Sequence, residues 1–184
     1  MKLTTTLGKT LSTINPEPQE PFMRTPPKPY QTVNLLQPMK YVHTNLVAHN
    51  WRQLADFYIK VFNCQPIPPE RDLKGEWLDT ALNLRDTHIT GVHLKLPGYT
   101  DGPTLELFQY DEEALGIHSY PNTPGYGHLA FSVPDVQETA NKIIENGGDY
   151  VGQLTTVQIE NYGRLEFAYM RDPEGNIIEI QHKD

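Results

Sequence analysis

Apolar and polar side chains alternate over residues 41–48. This predicts a strand with Val42, Thr44, Leu46 and Ala48 on one face and Tyr41, His43 and Asn45 on the other. The period then lengthens. Trp51, Leu54, Ala55, Tyr58 and Phe62 recur at spacings of three and four, which predicts a helix over residues 50–62 with one apolar stripe and Asn50 as its N-cap. The proline-rich stretch 66–72 is expected to break structure. Three strands are expected after it, at residues 77–84, 88–96 and 104–110, with a Pro-Gly-rich turn over 97–103 before the last.

The same order then recurs. Residues 127–133 alternate as a strand, with Leu129, Phe131 and Val133 on one face and Tyr126, His128 and Ala130 on the other. Residues 135–146 have helical spacing, with Asp135 as N-cap and Gly147-Gly148 as the stop. Strands are expected at 153–159, 165–171 and 176–181, the last two joined by the turn Asp172-Pro173-Glu174-Gly175. An offset of 85 residues places Tyr41 on Tyr126, His43 on His128, Leu46 on Phe131, Asn50 on Asp135, Ala55 on Ala140 and Ile59 on Ile144. At the module ends Leu105-Glu106-Leu107 matches Ile178-Glu179-Ile180. The chain therefore reads as an internal duplication of strand, helix and three strands. The expected organisation is an N-terminal arm over 1–39, a first module over 40–110, a linker over 111–124 and a second module over 125–184.

Composition narrows the function. The chain has 184 residues, of which 38% are hydrophobic, enough for an ordinary buried core. No window approaches the roughly 18 consecutive apolar residues of a membrane span, and the first twenty residues lack the apolar stretch of a secretory signal. Net charge is −8, which argues against binding nucleic acid through phosphates. A lone cysteine, Cys64, forms no internal disulfide and fits a reducing cytoplasm; beside Pro66 it reads as a small packed residue. Residues 1–40 carry a net +3 and seven of the sixteen prolines, so the arm is read as extended or disordered and without a core of its own.

The duplication singles out four side chains. His43, Glu106, His128 and Glu179 each lie on the strand face opposite the apolar one. If the two sheets curl into one cup, two imidazoles and two carboxylates meet on its floor. Two carboxylates in a partly dry site repel each other, and a divalent cation relieves that cost. Nitrogen and oxygen donors together suit zinc, nickel, cobalt, manganese or ferrous iron. The remaining histidines (His49, His88, His93, His118, His182) have no repeat register; His93 and Asp79 are further candidates to line the cup.

The stretches 43–47 (His-Thr-Asn-Leu-Val), 57–62 (Phe-Tyr-Ile-Lys-Val-Phe), 104–108 (Thr-Leu-Glu-Leu-Phe), 127–135 (Gly-His-Leu-Ala-Phe-Ser-Val-Pro-Asp) and 171–179 (Arg-Asp-Pro-Glu-Gly-Asn-Ile-Ile-Glu) resemble the vicinal oxygen chelate superfamily of glyoxalases, bleomycin-resistance proteins and extradiol dioxygenases. The resemblance covers about residues 40–182. It implies an α+β fold of paired βαβββ modules forming a U-shaped mixed sheet around a metal site, ligated by His43, Glu106, His128 and Glu179, in a homodimer. A fourth ligand at position 106 is closest to the glyoxalase I and methylmalonyl-CoA epimerase-like branch, since dioxygenases and fosfomycin-resistance enzymes use two histidines and one glutamate; the epimerase typically has glutamine there, so Glu106 favours the glyoxalase pattern. Val47 and Tyr110, however, stand where glyoxalase I places an arginine and an asparagine for glutathione.

The expected activity is that of a metal-dependent lyase or isomerase. A small substrate would chelate the ion through vicinal oxygens, and a proton would be shuttled through an enediolate by Glu179 or Glu106. The alternatives are a ferrous extradiol-type dioxygenase and a ligand-sequestering resistance-type binding protein. Tyr41 and Tyr126 flank the two histidines and read as walls of the cup or as hydrogen-bond donors to substrate. The basic residues available in the body to hold an anionic group are Arg52, Arg71, Lys74, Arg85, Arg164 and Arg171.

Overall fold

The computed structural model describes residues 39–114, 116 and 119–184. Apart from Met39, the expected arm lies outside the described residues, as does His118.

The first module runs β1 (His43–Val47), α1 (Trp51–Phe62), β2 (Gln65–Lys74), α2 (Glu76–Leu82), β3 (His88–Lys95) and β4 (Thr104–Tyr110). The second runs β5 (Leu129–Ser132), α3 (Val136–Glu145), β6 (Asp149–Tyr150), β7 (Thr155–Ile159), β8 (Gly163–Arg171) and β9 (Ile177–Lys183). Each module builds its own mixed sheet. The first has the order β1-β4-β3-β2; the second has β5-β9-β8-β6, with β7 also paired to β8. The first strand of each module pairs in parallel with the last, β1 with β4 and β5 with β9, and the other pairings are antiparallel. The helix of each module supplies the crossover that a parallel pairing needs.

The helices form where their caps and apolar stripes say they should. The Asn50 side chain accepts from the Gln53 amide and the Asp135 side chain from the Glu138 amide, each satisfying an amide the first turn leaves free. Asn63, with φ 58°, ends α1, and Gly147, with φ 91°, follows α3 in a conformation that suits glycine. α1 buries Trp51, Leu54, Ala55, Phe57, Tyr58, Val61 and Phe62; α3 buries Val136, Thr139, Ala140 and Ile143. Both stripes enter one core with Leu105, Leu107, Ile178 and Ile180, so the modules share their hydrophobic interior. Phe62 stacks on Phe131 of β5 with ring centroids 4.0 Å apart, and the Tyr58 hydroxyl donates to Asp172 Oδ2 at 3.0 Å.

Two expectations in the first module are corrected. The stretch 66–72 does not break structure; it lies within β2, interrupted by a register shift between Ile67 and Arg71. β2 is the edge of its sheet, where Pro66, Pro68 and Pro69 cost few ladder hydrogen bonds. Residues 77–84 are not a strand but contain most of α2. The apolar residues there mislead, because Trp77, Leu82 and Leu84 are exposed and only Leu78 is buried. In the second module, the two-residue β6 opposite Met170 and Arg171 is an addition too short to leave a pattern. Among the described residues, no helix is long and apolar enough to cross a membrane.

Candidate metal centre

The two parallel pairings, β1 with β4 and β5 with β9, position the candidate ligands. In the first, Leu105 and Leu107 turn into the core, which turns Glu106 to the other face beside His43 and Asn45 of β1. His43 Nε2 lies 3.5 Å from Glu106 Oε2. In the second, Ile178 and Ile180 turn inward and Glu179 outward, with His128, one residue ahead of β5, placing Nε2 2.9 Å from Glu179 Oε2. The two glutamates are sheltered, with side-chain exposures of 11% and 15%, whereas the histidines are open at 41% and 37%. Each half therefore combines a sheltered carboxylate with an imidazole still accessible from outside.

The spacing suits a shared ion. Two donors each about 2.1 Å from one ion lie about 3.0 Å apart at a right angle and about 3.4 Å apart at the tetrahedral angle. The observed 2.9 and 3.5 Å lie near these values; the 2.9 Å contact is itself a hydrogen bond from the His128 ring to Glu179, and imidazole plus carboxylate is a donor set that first-row divalent ions accept. Within one chain the four residues stand as two pairs. Among the described residues, no group of three or more His, Cys, Asp or Glu side chains is gathered to hold an ion. No strand of one sheet pairs with a strand of the other, and β1 and β5, which carry or adjoin the histidines, are each the last strand of their sheet.

Neighbouring residues complete each half. Asn45 Nδ2 donates to Glu106 Oε2 at 2.9 Å. His93 stands directly opposite Glu106 across the antiparallel β3–β4 pairing, with Nε2 2.7 Å from Oε1. Burial pushes the His93 imidazole below its usual pKa, against the upward pull of Glu106. Tyr169 holds the corresponding place opposite Glu179 in β8, with its ring edge-on to His128 at 5.2 Å. Burial first, and then the charge of Glu179, raises its phenol. Tyr110, on the Glu106 face of β4, is raised in the same way by burial and by Glu106.

Of these, only His93 was a candidate from sequence. The hairpin register that sets His93 against Glu106 and Tyr169 against Glu179 is the signal that could have found the pair.

Other candidates are otherwise occupied. Asp79 accepts from the amides of Asp86 and Thr87, and so closes the turn after α2. Tyr41 and Tyr126 are exposed, and the Tyr41 hydroxyl meets that of Thr44. Cys64 is buried, its thiol pushed up to about 12 by desolvation, and takes no part. Arg52 is paired with Glu70 and Arg164 with Asp184; Arg71 donates to the Pro69 carbonyl, and Arg171 to the carbonyls of Gly175 and Ser119.

A family model described as the glyoxalase/bleomycin resistance protein/dioxygenase superfamily matches residues 40–180. The chain belongs to this superfamily. Superfamily relatives include the lactoylglutathione lyase of Escherichia coli O157:H7, 27% identical over 150 residues that cover 79% of this chain and 95% of that protein. The lactoylglutathione lyase of Neisseria meningitidis serogroup A is 25% identical, covering 79% of this chain and 91% of that protein. A glyoxalase family protein from Bacillus cereus has the same fold, with a TM-score of 0.67 at 21% identity, covering 84% of this chain and 99% of that one. A glyoxalase I mutant from Zea mays aligns with a TM-score of 0.51 at 20% identity, covering 77% of this chain and 44% of that one. The α+β glyoxalase fold that the resemblance implied is thus the fold of this protein.

Proposed function

We propose that this protein is a divalent-metal-dependent lyase or isomerase acting on a small substrate with vicinal oxygens. The observation that carries the reading is the repeated imidazole–carboxylate pair, His43 with Glu106 and His128 with Glu179, each at the spacing of neighbouring ligands on one ion. The ion, which would be zinc, nickel, cobalt, manganese or iron, supplies Lewis-acid stabilisation of the charge that develops on the substrate oxygens. Each copy has its pairs on separate sheets whose last strands, β1 and β5, are paired on one side only among the described residues. The proposed centre is therefore completed in a homodimer, with the His43–Glu106 pair of one copy facing the His128–Glu179 pair of another.

Glu179 is the proposed general base. It removes a proton from the carbon beside the substrate carbonyl and returns it to the neighbouring carbon or the opposite face. Its surroundings favour this role, because the carboxylate is sheltered, with Tyr169 opposite it across the β8–β9 pairing and the half-open His128 beside it. Glu106, held by Asn45 and His93, stays in place as a ligand.

The relatives named lactoylglutathione lyase point to a related reaction, but the tail of the substrate differs. The proposed tail site is a cavity of about 670 Å³ lined by Val47, Leu84 and Tyr110 with Glu112, Glu174 and the His49–Glu113 pair. An apolar wall with an acidic rim disfavours a tail bearing carboxylates. The proposed substrate is a hemithioacetal or 2-oxo thioester with a less acidic tail than glutathione.

The test is elemental analysis of the purified protein beside Glu179→Gln, with turnover screened on hemithioacetals, 2-oxo thioesters and catechols under nitrogen and under air. The expected result is a bound divalent metal in both proteins and a loss of about 10²–10⁴-fold in turnover for the variant. Wild-type protein that takes up no divalent metal would sink the reading. Oxygen consumption with a catechol would replace it with the dioxygenase reading.

A further inference from the structure

The two halves of the centre differ in what stands behind the glutamate. Opposite Glu179 is a phenol, Tyr169; opposite Glu106 is an imidazole, His93. His93 is the more tightly fixed, because its Nδ1 lies 3.0 Å from Thr104 Oγ1 while its Nε2 lies 2.7 Å from Glu106 Oε1. Thr104 belongs to the same strand and the same face as Glu106. Thr104, His93 and Glu106 thus form a chain of contacts across one strand pair.

The chain has a direction. A carboxylate oxygen 2.7 Å from a ring nitrogen requires a proton between them, since two lone pairs at that distance repel. The proton of the neutral ring is therefore on Nε2, and Nδ1 accepts from the Thr104 hydroxyl. Asn45 Nδ2 occupies the other oxygen, Oε2, at 2.9 Å. Both oxygens of Glu106 are consequently partnered by donors that point the carboxylate toward His43. Groups that hold a ligating carboxylate in this way narrow its orientations before an ion arrives, and their loss weakens metal binding.

We propose that His93, its Nε2 turned to Glu106 and its ring steadied through Nδ1 by Thr104, is a positioning residue that presents Glu106 to the metal. This rests on the metal-dependent reading above, but it is a statement about residues that carry no repeat signature. His93 acts through Glu106 and touches neither ion nor substrate.

The test uses full-length protein, cobalt(II) titrated in competition with a chelating dye, and three variants. His93→Phe keeps a ring of similar size and removes the donor. His93→Gln returns an amide donor. Thr104→Val removes only the hydroxyl. The expected result is a loss of affinity of about 10- to 100-fold for His93→Phe, recovery of most of it in His93→Gln, and an intermediate loss in Thr104→Val. Long-range proton–nitrogen spectra of the metal-free protein should place the His93 proton on Nε2, and Thr104→Val should shift the Nδ1 resonance.

Wild-type affinity in His93→Phe would overturn the proposal, as would a loss in His93→Gln equal to that in His93→Phe. A proton on Nδ1 in the metal-free wild type would also overturn it, whatever the protein binds. Wild type that binds no cobalt, with the proton on Nε2, would refute the proposed function and leave the Thr104–His93–Glu106 chain standing.

Discussion

Tyr58→Phe removes one oxygen atom from the place where the two modules are joined. Tyr58 is fully buried on α1, and its hydroxyl donates to Asp172 Oδ2, 114 residues away at the turn that leads into β9. Asp172 is itself buried, and it accepts from the amides of Glu174 and Asn176 on Oδ1 and from Asn176 Nδ2 on Oδ2. Desolvation raises its pKa, partly offset by these donors. A hydrogen bond to a charged group contributes about 1.5–3 kcal/mol. Since Oδ2 keeps Asn176 after the change, the carboxylate is not orphaned, and the expected cost is near the lower end, about 1.5–2 kcal/mol.

The assay is urea denaturation of wild type and Tyr58→Phe at one protein concentration and pH 7, with a lower midpoint and an unchanged slope as the expected outcome. A double-mutant cycle with Asp172→Asn should return a coupling of about 1 kcal/mol or more. A Tyr58→Phe protein within about 0.5 kcal/mol of wild type would refute the claim that this contact fastens α1 to the second module.

Two other predictions concern the first sheet. Gly91→Ala on β3 would place a methyl carbon 2.1 Å from the Leu107 carbonyl oxygen and 2.5 Å from Phe108 Cδ1, so the β3–β4 pairing must shift; a destabilisation of about 1–3 kcal/mol is expected by denaturation, and an unperturbed variant would contradict the register. His88 is raised above its ordinary pKa by its hydrogen bonds to Asp111 and Asp72. Its contribution is therefore fully present below the unfolded value near 6.5, and it is lost as pH rises through the higher folded value. Melting temperatures measured across that window should fall with pH in wild type more steeply than in His88→Gln.

The parts of this fold that sequence made legible are those set by local pattern. α1 and α3 were marked by three-and-four spacing and by Asn50 and Asp135, and both caps bond as expected. Glu106 and Glu179 were marked by the apolar residues beside them, which fix the strand face. β2 was hidden because edge position, which makes its prolines tolerable, is a property of the sheet and not of the segment. α2 was hidden because its large apolar residues are exposed, so periodicity carried no burial information. The role of Asn45 arises from a contact between residues 61 apart in sequence, which leaves no local trace, and that of His93 from the register of the β3–β4 hairpin, which face alternation alone does not fix.

The central claim is that the His43–Glu106 pair of one copy and the His128–Glu179 pair of another hold a single ion. Mixing and refolding two double variants, His43→Ala/Glu106→Ala and His128→Ala/Glu179→Ala, tests it most directly. Each alone should bind no metal at the centre. The mixed dimer should regain one intact centre, read as bound metal and restored turnover. Failure of the mixture to bind metal, when wild type refolded in the same way does bind it, would contradict the account.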